Sequence, residues 1–179
     1  MKTTIYSLFV MLSLSACNFT FNTPEEYFDR TALNSNTISR FGSDYFKTYV
    51  QYSGDMQANT QFNTCEKYLA NYSIALLENN IKKVKDLSPT TETKAMLAAS
   101  NDLNNYVLES YKTDHMKVAK LIDNKAPQEQ IDQALAELDH KSYDGFAMRF
   151  DKLWAIAEKY AADNNIKLTT LSGKSSFSN

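Results

Sequence analysis

Phe62-Asn63-Thr64-Cys65-Glu66-Lys67-Tyr68-Leu69-Ala70-Asn71-Tyr72-Ser73-Ile74-Ala75-Leu76-Leu77-Glu78-Asn79-Asn80-Ile81-Lys82-Lys83-Val84 is the stretch that decides the fold. Phe62, Cys65, Leu69, Tyr72, Leu76 and Val84 recur at steps of three, four and eight, and Ile74, Leu77 and Ile81 widen the stripe. That period puts them on one face of a helix, and a stripe this broad is what a helix needs when it packs inside a bundle. Leu87-Ser88-Pro89 should end it, with Ser88 placed to cap the next helix and Pro89 to open it.

Toward the C-terminus the same period continues. Met96, Leu103, Val107, Tyr111, Val118 and Ile122 share a face between Pro89 and Asn124, flanked by Leu97, Tyr106 and Leu121. After Pro127 the pattern resumes with Ile131, Leu135, Leu138, Phe146, Phe150, Leu153, Ala157 and Tyr160, up to about Asp163. Gly145 is expected to kink or divide this last run, because an unbroken helix of over thirty residues is far above the mean length. Asn164-Asn165 ends the run, and residues 172–179 read as a disordered tail. The short connections suit antiparallel neighbours.

Toward the N-terminus, Ile38, Phe41, Tyr45, Tyr49 and Tyr52 also fall on one helical face, with Ser53-Gly54-Asp55 expected to interrupt it. Tyr45, Phe46, Tyr49 and Tyr52 are hard to bury together, so Tyr45, Tyr49 and Tyr52 are the candidate partner surface. Thr23-Pro24-Glu25-Glu26 is a helix-start signal ahead of Tyr27, Phe28 and Leu33. No strand-like alternation competes, and four glycines and three prolines are too few for a β-sandwich and its turns. The expected fold is all-α: an up-down bundle of three long helices with additional short helical segments near the N-terminus.

The first residues carry an address. Lys2 precedes an apolar run from Ile5 to Leu14, too short at roughly 15 Å to span about 30 Å of hydrocarbon, and the run ends in Leu14-Ser15-Ala16-Cys17. Basic start, apolar core and small-residue ending are the parts of a secretory signal. With a cysteine in that place, the stretch resembles the lipobox of bacterial lipoproteins at all four positions. The resemblance implies a signal peptide over 1–16, lipidation of Cys17 with palmitate-type chains, and a permanent membrane anchor, since one acyl chain alone holds only marginally. It implies a cell-envelope location facing the periplasm, and Asn18, not being aspartate, favours the outer over the inner membrane. Domains are then expected as signal peptide 1–16, lipidated tether 17–36, bundle 37–171 and tail 172–179, the tether reaching about 25 Å if flexible.

Charge and chemistry narrow the function. The chain has 19 basic and 21 acidic residues, interspersed, which does not favour a nucleic-acid partner. No second apolar run approaches eighteen residues. Lipidation of Cys17 would leave Cys65 without a disulfide partner, on an apolar stripe that makes a thiol inert. Glu137-Leu138-Asp139-His140 is a Glu-x-x-His, but a di-iron bundle needs a second copy. The other histidine, His115, follows Thr113-Asp114 with no glutamate three residues back. Paired Glu25-Glu26 has no accompanying pocket signal, and no glycine loop could cradle phosphate. No cofactor, metal or catalytic residue is therefore assigned, and no enzymatic role is expected.

Lys67-Tyr68, Tyr72, Ile74 and Asn79, behind a lipobox, resemble the YiiG-type family of helical bacterial lipoproteins, although Leu69-Ala70 departs from that pattern; the resemblance speaks to fold and location only. The expected function is a membrane-anchored, non-enzymatic envelope interaction module with a protein partner, an immunity or exclusion-type inhibitor being one concrete version. The alternative is a binding module for a small apolar or envelope-derived ligand held between helices, and a metal-dependent enzyme using Glu137 and His140 is the remote one.

Overall fold

The computed structural model describes residues 22–56 and 61–168, with side chains over 22–50 and 61–168. The lipobox, the 172–179 tail and the side chain of Tyr52 lie outside the described residues. Helix α1 begins as Pro24–Phe28 and continues as a π segment, Asp29–Leu33; a 3₁₀ turn, Asn36–Ile38, leads to α2, Ser43–Met56. Helix α3 comprises Cys65–Tyr68, a π segment Leu69–Ile74, and Ala75–Lys85. Helix α4 comprises Lys94–Ser110, a π segment Tyr111–His115, and Met116–Asp123, and α5 is Gln128–Asp163. The all-α bundle with three long helices, α3 to α5, is what the apolar period predicts, and there is no strand among the described residues.

Polar contacts give the register. Between α4 and α5, Arg149 meets Asp102 at 3.3 Å, the Tyr106 hydroxyl donates to the Ser142 carbonyl at 2.8 Å, and Lys141 meets Asp114 at 2.7 Å. Residue numbers rise on one helix as they fall on the other, so the pair is antiparallel. Between α3 and α4, Lys112 pairs with Glu78 at 2.6 Å, and the Cys65 and Glu66 amides donate to Asp123 at 2.8 and 2.9 Å, again antiparallel. The core between them holds Leu69, Leu77, Val84, Met96, Leu103, Val107, Val118, Phe146, Leu153 and Ala157, all buried. Each large apolar side chain contributes roughly 1.5–3 kcal/mol on burial.

The π segment in α3 changes which residues face inward. Cys65 and Leu69 are buried as expected, but the next buried residue is Ile74, five positions on, followed by Leu77, Ile81 and Val84. The wider turn shifts the inward face by a residue, so Tyr72, expected on the stripe, is 47% exposed. A strict 3.6 period cannot anticipate such an insertion.

Four further expectations change. Residues from Pro24 onward belong to the bundle, not to a tether ending at 36: Tyr27 and Phe28 are buried, Phe28 meets Trp154 edge-on at 6.2 Å, and the Trp154 indole donates to Ser35 at 3.1 Å. Thr23 and Glu26 close the reciprocal cap that starts this helix. Helix α4 starts at Lys94, not at Pro89, because Thr90 and Thr93 bind one another and hold a turn after the proline. Helix α2 runs through Ser53-Gly54-Asp55 without interruption. Helix α5 is unbroken across Gly145, whose missing side chain is a matter of space: a Cβ there would come within 2.5 Å of the Tyr106 hydroxyl. Among the described residues no helix is long and apolar enough to cross a membrane.

Candidate functional site

The site is built around the junction from the 3₁₀ turn into α2. Gly42 sits at φ +70°, the left-handed region that a side chain disfavours, and a Cβ there would collide with Asp139 Oδ1. The turn aims two amides inward. Gly42 N–H donates to His115 Nε2 at 3.2 Å and Ser43 N–H donates to Asp139 Oδ1 at 2.8 Å. The first donors of α2 are thus met by α4 and α5 rather than by a local cap.

His115 is fully buried among Phe41, Tyr45, Phe46 and Tyr111, with ring centroids 4.8 to 5.7 Å away. Because Nε2 accepts from Gly42, the ring proton resides on Nδ1, which donates to Ser110 Oγ at 3.0 Å. Burial lowers its pKa to about 4, with smaller opposing effects from Ser110 and Asp114. The imidazole is neutral, sealed and engaged at both nitrogens, which makes it a structural polar group of the core.

Beside this knot lies a cleft of about 180 Å³. The π segments of α3 and α4 pack on one another and supply Tyr72 and Ser73 from one and Tyr111 from the other; the turn adds Thr37, Ser39 and Arg40, and α2 adds Tyr45 and Thr48. Local π geometry re-aims side chains and recurs at functional sites. Tyr68 and Tyr72 stack at 5.1 Å, Tyr45 and Tyr111 lie 5.3 Å apart, and the Tyr45 hydroxyl is 2.9 Å from Ser73 Oγ. Tyr111 is only 2% exposed, and its hydroxyl makes no hydrogen bond among the described residues. Burial, reinforced by the neighbouring phenols, raises the pKa of Tyr45, Tyr68 and Tyr111, so all three are neutral donors at physiological pH.

Arg40 is the one charged side chain in this lining among the described residues. Its Nη1 donates to Thr48 Oγ1 at 2.9 Å, and no described carboxylate lies within ion-pair distance of it. Four other surface clefts each carry at least one carboxylate, such as Asp44, Asp139 and Asp144 beside His140. The tyrosine cleft therefore offers a fixed cation, several hydroxyls and aromatic faces. That is recognition chemistry.

The residues singled out from sequence fare differently. Tyr45 and Tyr49 do not form a partner surface: they are 7% and 8% exposed, since α2 lays this face against α3 and α4, and only the Tyr45 hydroxyl side reaches the cleft. Cys65 is fully buried, and burial raises its thiol pKa well above the usual range, with Asp123 adding to the shift. Glu137 accepts from Gln133 at 2.9 Å, and His140 is exposed. Among the described residues no group of three His, Cys, Asp or Glu is placed to hold a metal ion. Glu26 serves the α1 cap. Tyr111 and His115 lie four apart in one π segment, but Arg40 comes from a distant segment and no signal in the chain joins it to them. Comparison with models of protein families, with curated proteins and with solved structures finds no match.

Proposed function

We propose that this chain is a lipid-anchored, non-enzymatic binding module of the bacterial cell envelope. Cys17 is the anchor, and the cleft between Arg40, Tyr72 and Tyr111 is the recognition site. The observation that carries the reading is the cleft's lining: one cation and no carboxylate among the described residues, the Tyr68–Tyr72 aromatic wall, and a Tyr111 hydroxyl that opens onto the cleft with no hydrogen bond inside the described fold. The lipobox resemblance supports the location, with the outer membrane, periplasmic side, as the favoured leaflet, and the first helix starts at Pro24, a few positions after that cysteine in the sequence.

Two measurements test it. Cys17→Ala should abolish lipid labelling and move the protein to the soluble periplasmic fraction; retention in the membrane pellet would remove the anchor. A photocrosslinking amino acid at Tyr72, irradiated in intact cells, should give a discrete adduct by mass spectrometry, whereas the same group at exposed Glu158 on α5 should not. Equal labelling at both positions, or none at Tyr72, would remove the cleft as the recognition site.

A further inference from the structure

Resting on the reading of the cleft as a recognition site, we propose that its ligand is an acidic sugar: a hydroxylated monocarboxylate of about one sugar ring. Charge comes first. Arg40 is the one charged residue of the described lining, shared with the adjoining cleft that holds Asp44 and Asp151, so this cleft disfavours a cationic ligand and offers a dianion half the countercharge it needs. Arg40 carries a planar fork of donors that matches a carboxylate, and Thr48 already holds that fork at 2.9 Å beside the opening.

The body of the ligand follows from the rest of the lining. Thr37, Ser39 and Thr48 already donate their protons to the Asn34, Asn36 and Asp44 carbonyls and Ser73 pairs with Tyr45, so their hydroxyl oxygens meet a ligand mainly as acceptors for its own hydroxyls, and Asn36 adds an amide. A purely apolar guest would strip water from these groups and return nothing. Tyr68 and Tyr72, stacked at 5.1 Å, provide an aromatic wall against which the C–H face of a sugar ring can lie. On the floor, the Tyr111 hydroxyl opens onto the cleft with no hydrogen bond inside the described protein, and a ring hydroxyl can accept from it. About 180 Å³ is room for on the order of six water molecules, which suits one ring and falls below the range of drug-sized sites.

The test uses the full lipidated protein in detergent micelles, titrated calorimetrically with galacturonate, its linear trimer, galactose and benzoate. The free acid and the trimer separate a soluble ligand from one residue of an envelope polysaccharide, and binding of either supports the proposal. Galactose and benzoate should each bind at least tenfold more weakly, lacking respectively the charge and the hydroxyls. Arg40→Ala should weaken galacturonate binding at least tenfold, Arg40→Lys less, and Tyr111→Phe by about two- to tenfold. Circular dichroism on each variant separates lost binding from lost fold. The proposal is overturned if neither uronate binds, if galactose or benzoate binds as well, or if Arg40→Ala is without effect. Should neither uronate bind while the Tyr72 adduct still forms in cells, the ligand class fails and the recognition site stands. Uronate binding without that adduct would leave the ligand class standing and remove the cleft's role in cells.

Discussion

The seam between α4 and α5 and the wall made by the turn, α2 and α3 are held together by different means. The seam is mainly apolar: Leu103, Val107, Phe146, Leu153 and Ala157 are buried along it, its ion pairs, Arg149 with Asp102 and Lys141 with Asp114, are at the edge, and the part-buried Tyr106–Ser142 hydrogen bond crosses it. The wall depends on borrowed polar groups. His115 of α4 and Asp139 of α5 receive the first amides of α2, and Asp123 of α4 receives the first two amides of α3. An apolar seam resists change by volume and area, whereas a wall of this kind fails at single hydrogen bonds and at particular pH values. The cleft lies on the wall, where π segments and long-range caps have already set the backbone apart from a regular packed helix pair.

Five perturbations probe this contrast. Leu153→Ala, at a fully buried seam position, should lower unfolding free energy by about 4 kcal/mol in urea titration, from lost transfer energy and the cavity left behind. A loss under about 1 kcal/mol, far below the usual range for such a truncation, would mean that the seam is not the main store of stability.

The wall should respond to acid. Because burial depresses the His115 pKa to about 4, the native state favours the neutral ring; its contribution is intact above about pH 6.5 and declines as pH falls from 6.5 to 4. The total is about 3 kcal/mol, read as a pH-dependent shift in urea midpoint that His115→Phe should flatten. An equal slope in that variant would assign acid sensitivity elsewhere.

Gly42→Ala should cost about 2 kcal/mol, combining a left-handed backbone with displacement of the Asp139 cap. Gly145→Ala offers a contrasting glycine, limited by Tyr106 and not by its own backbone, so Tyr106→Ala should restore it and should not restore Gly42→Ala. The smallest effect is expected from Asp123→Asn, about 1 kcal/mol, since one acceptor remains but the charge at the α3 N-terminus is lost. Amide hydrogen exchange at Cys65 and Glu66 should quicken first.

Much of the fold is legible in the chain alone. The inward faces of α4 and α5 repeat regularly, and Thr23-Pro24-Glu25-Glu26 marks a helix start that forms as a reciprocal cap. Legibility ends where an element's geometry depends on its neighbours. Tyr72 satisfies the period and yet turns outward, because the π segment around it inserts a residue. Tyr45 and Tyr49 suggest a surface by being crowded with aromatics, yet α3 and α4 accommodate them. The candidate site is scarcely visible in the chain: aromatic crowding marks Tyr45 for a partner surface, and nothing in the spacing of Arg40, Ser73 and Tyr111 connects them.

The amino-acid sequence by itself determined the helical class, the long antiparallel elements and the lipobox resemblance at Cys17, because period, punctuation and cleavage signals are local properties of a chain. Only the tertiary structure decided that α1 joins the core, that α5 passes Gly145 straight, and that the N-termini of α2 and α3 are capped by Asp139, His115 and Asp123. It also brought Arg40 and Tyr111 to one cleft. Those features are meetings between residues far apart in the chain, and a contact exists only once the helices have packed and buried polar groups have found their partners.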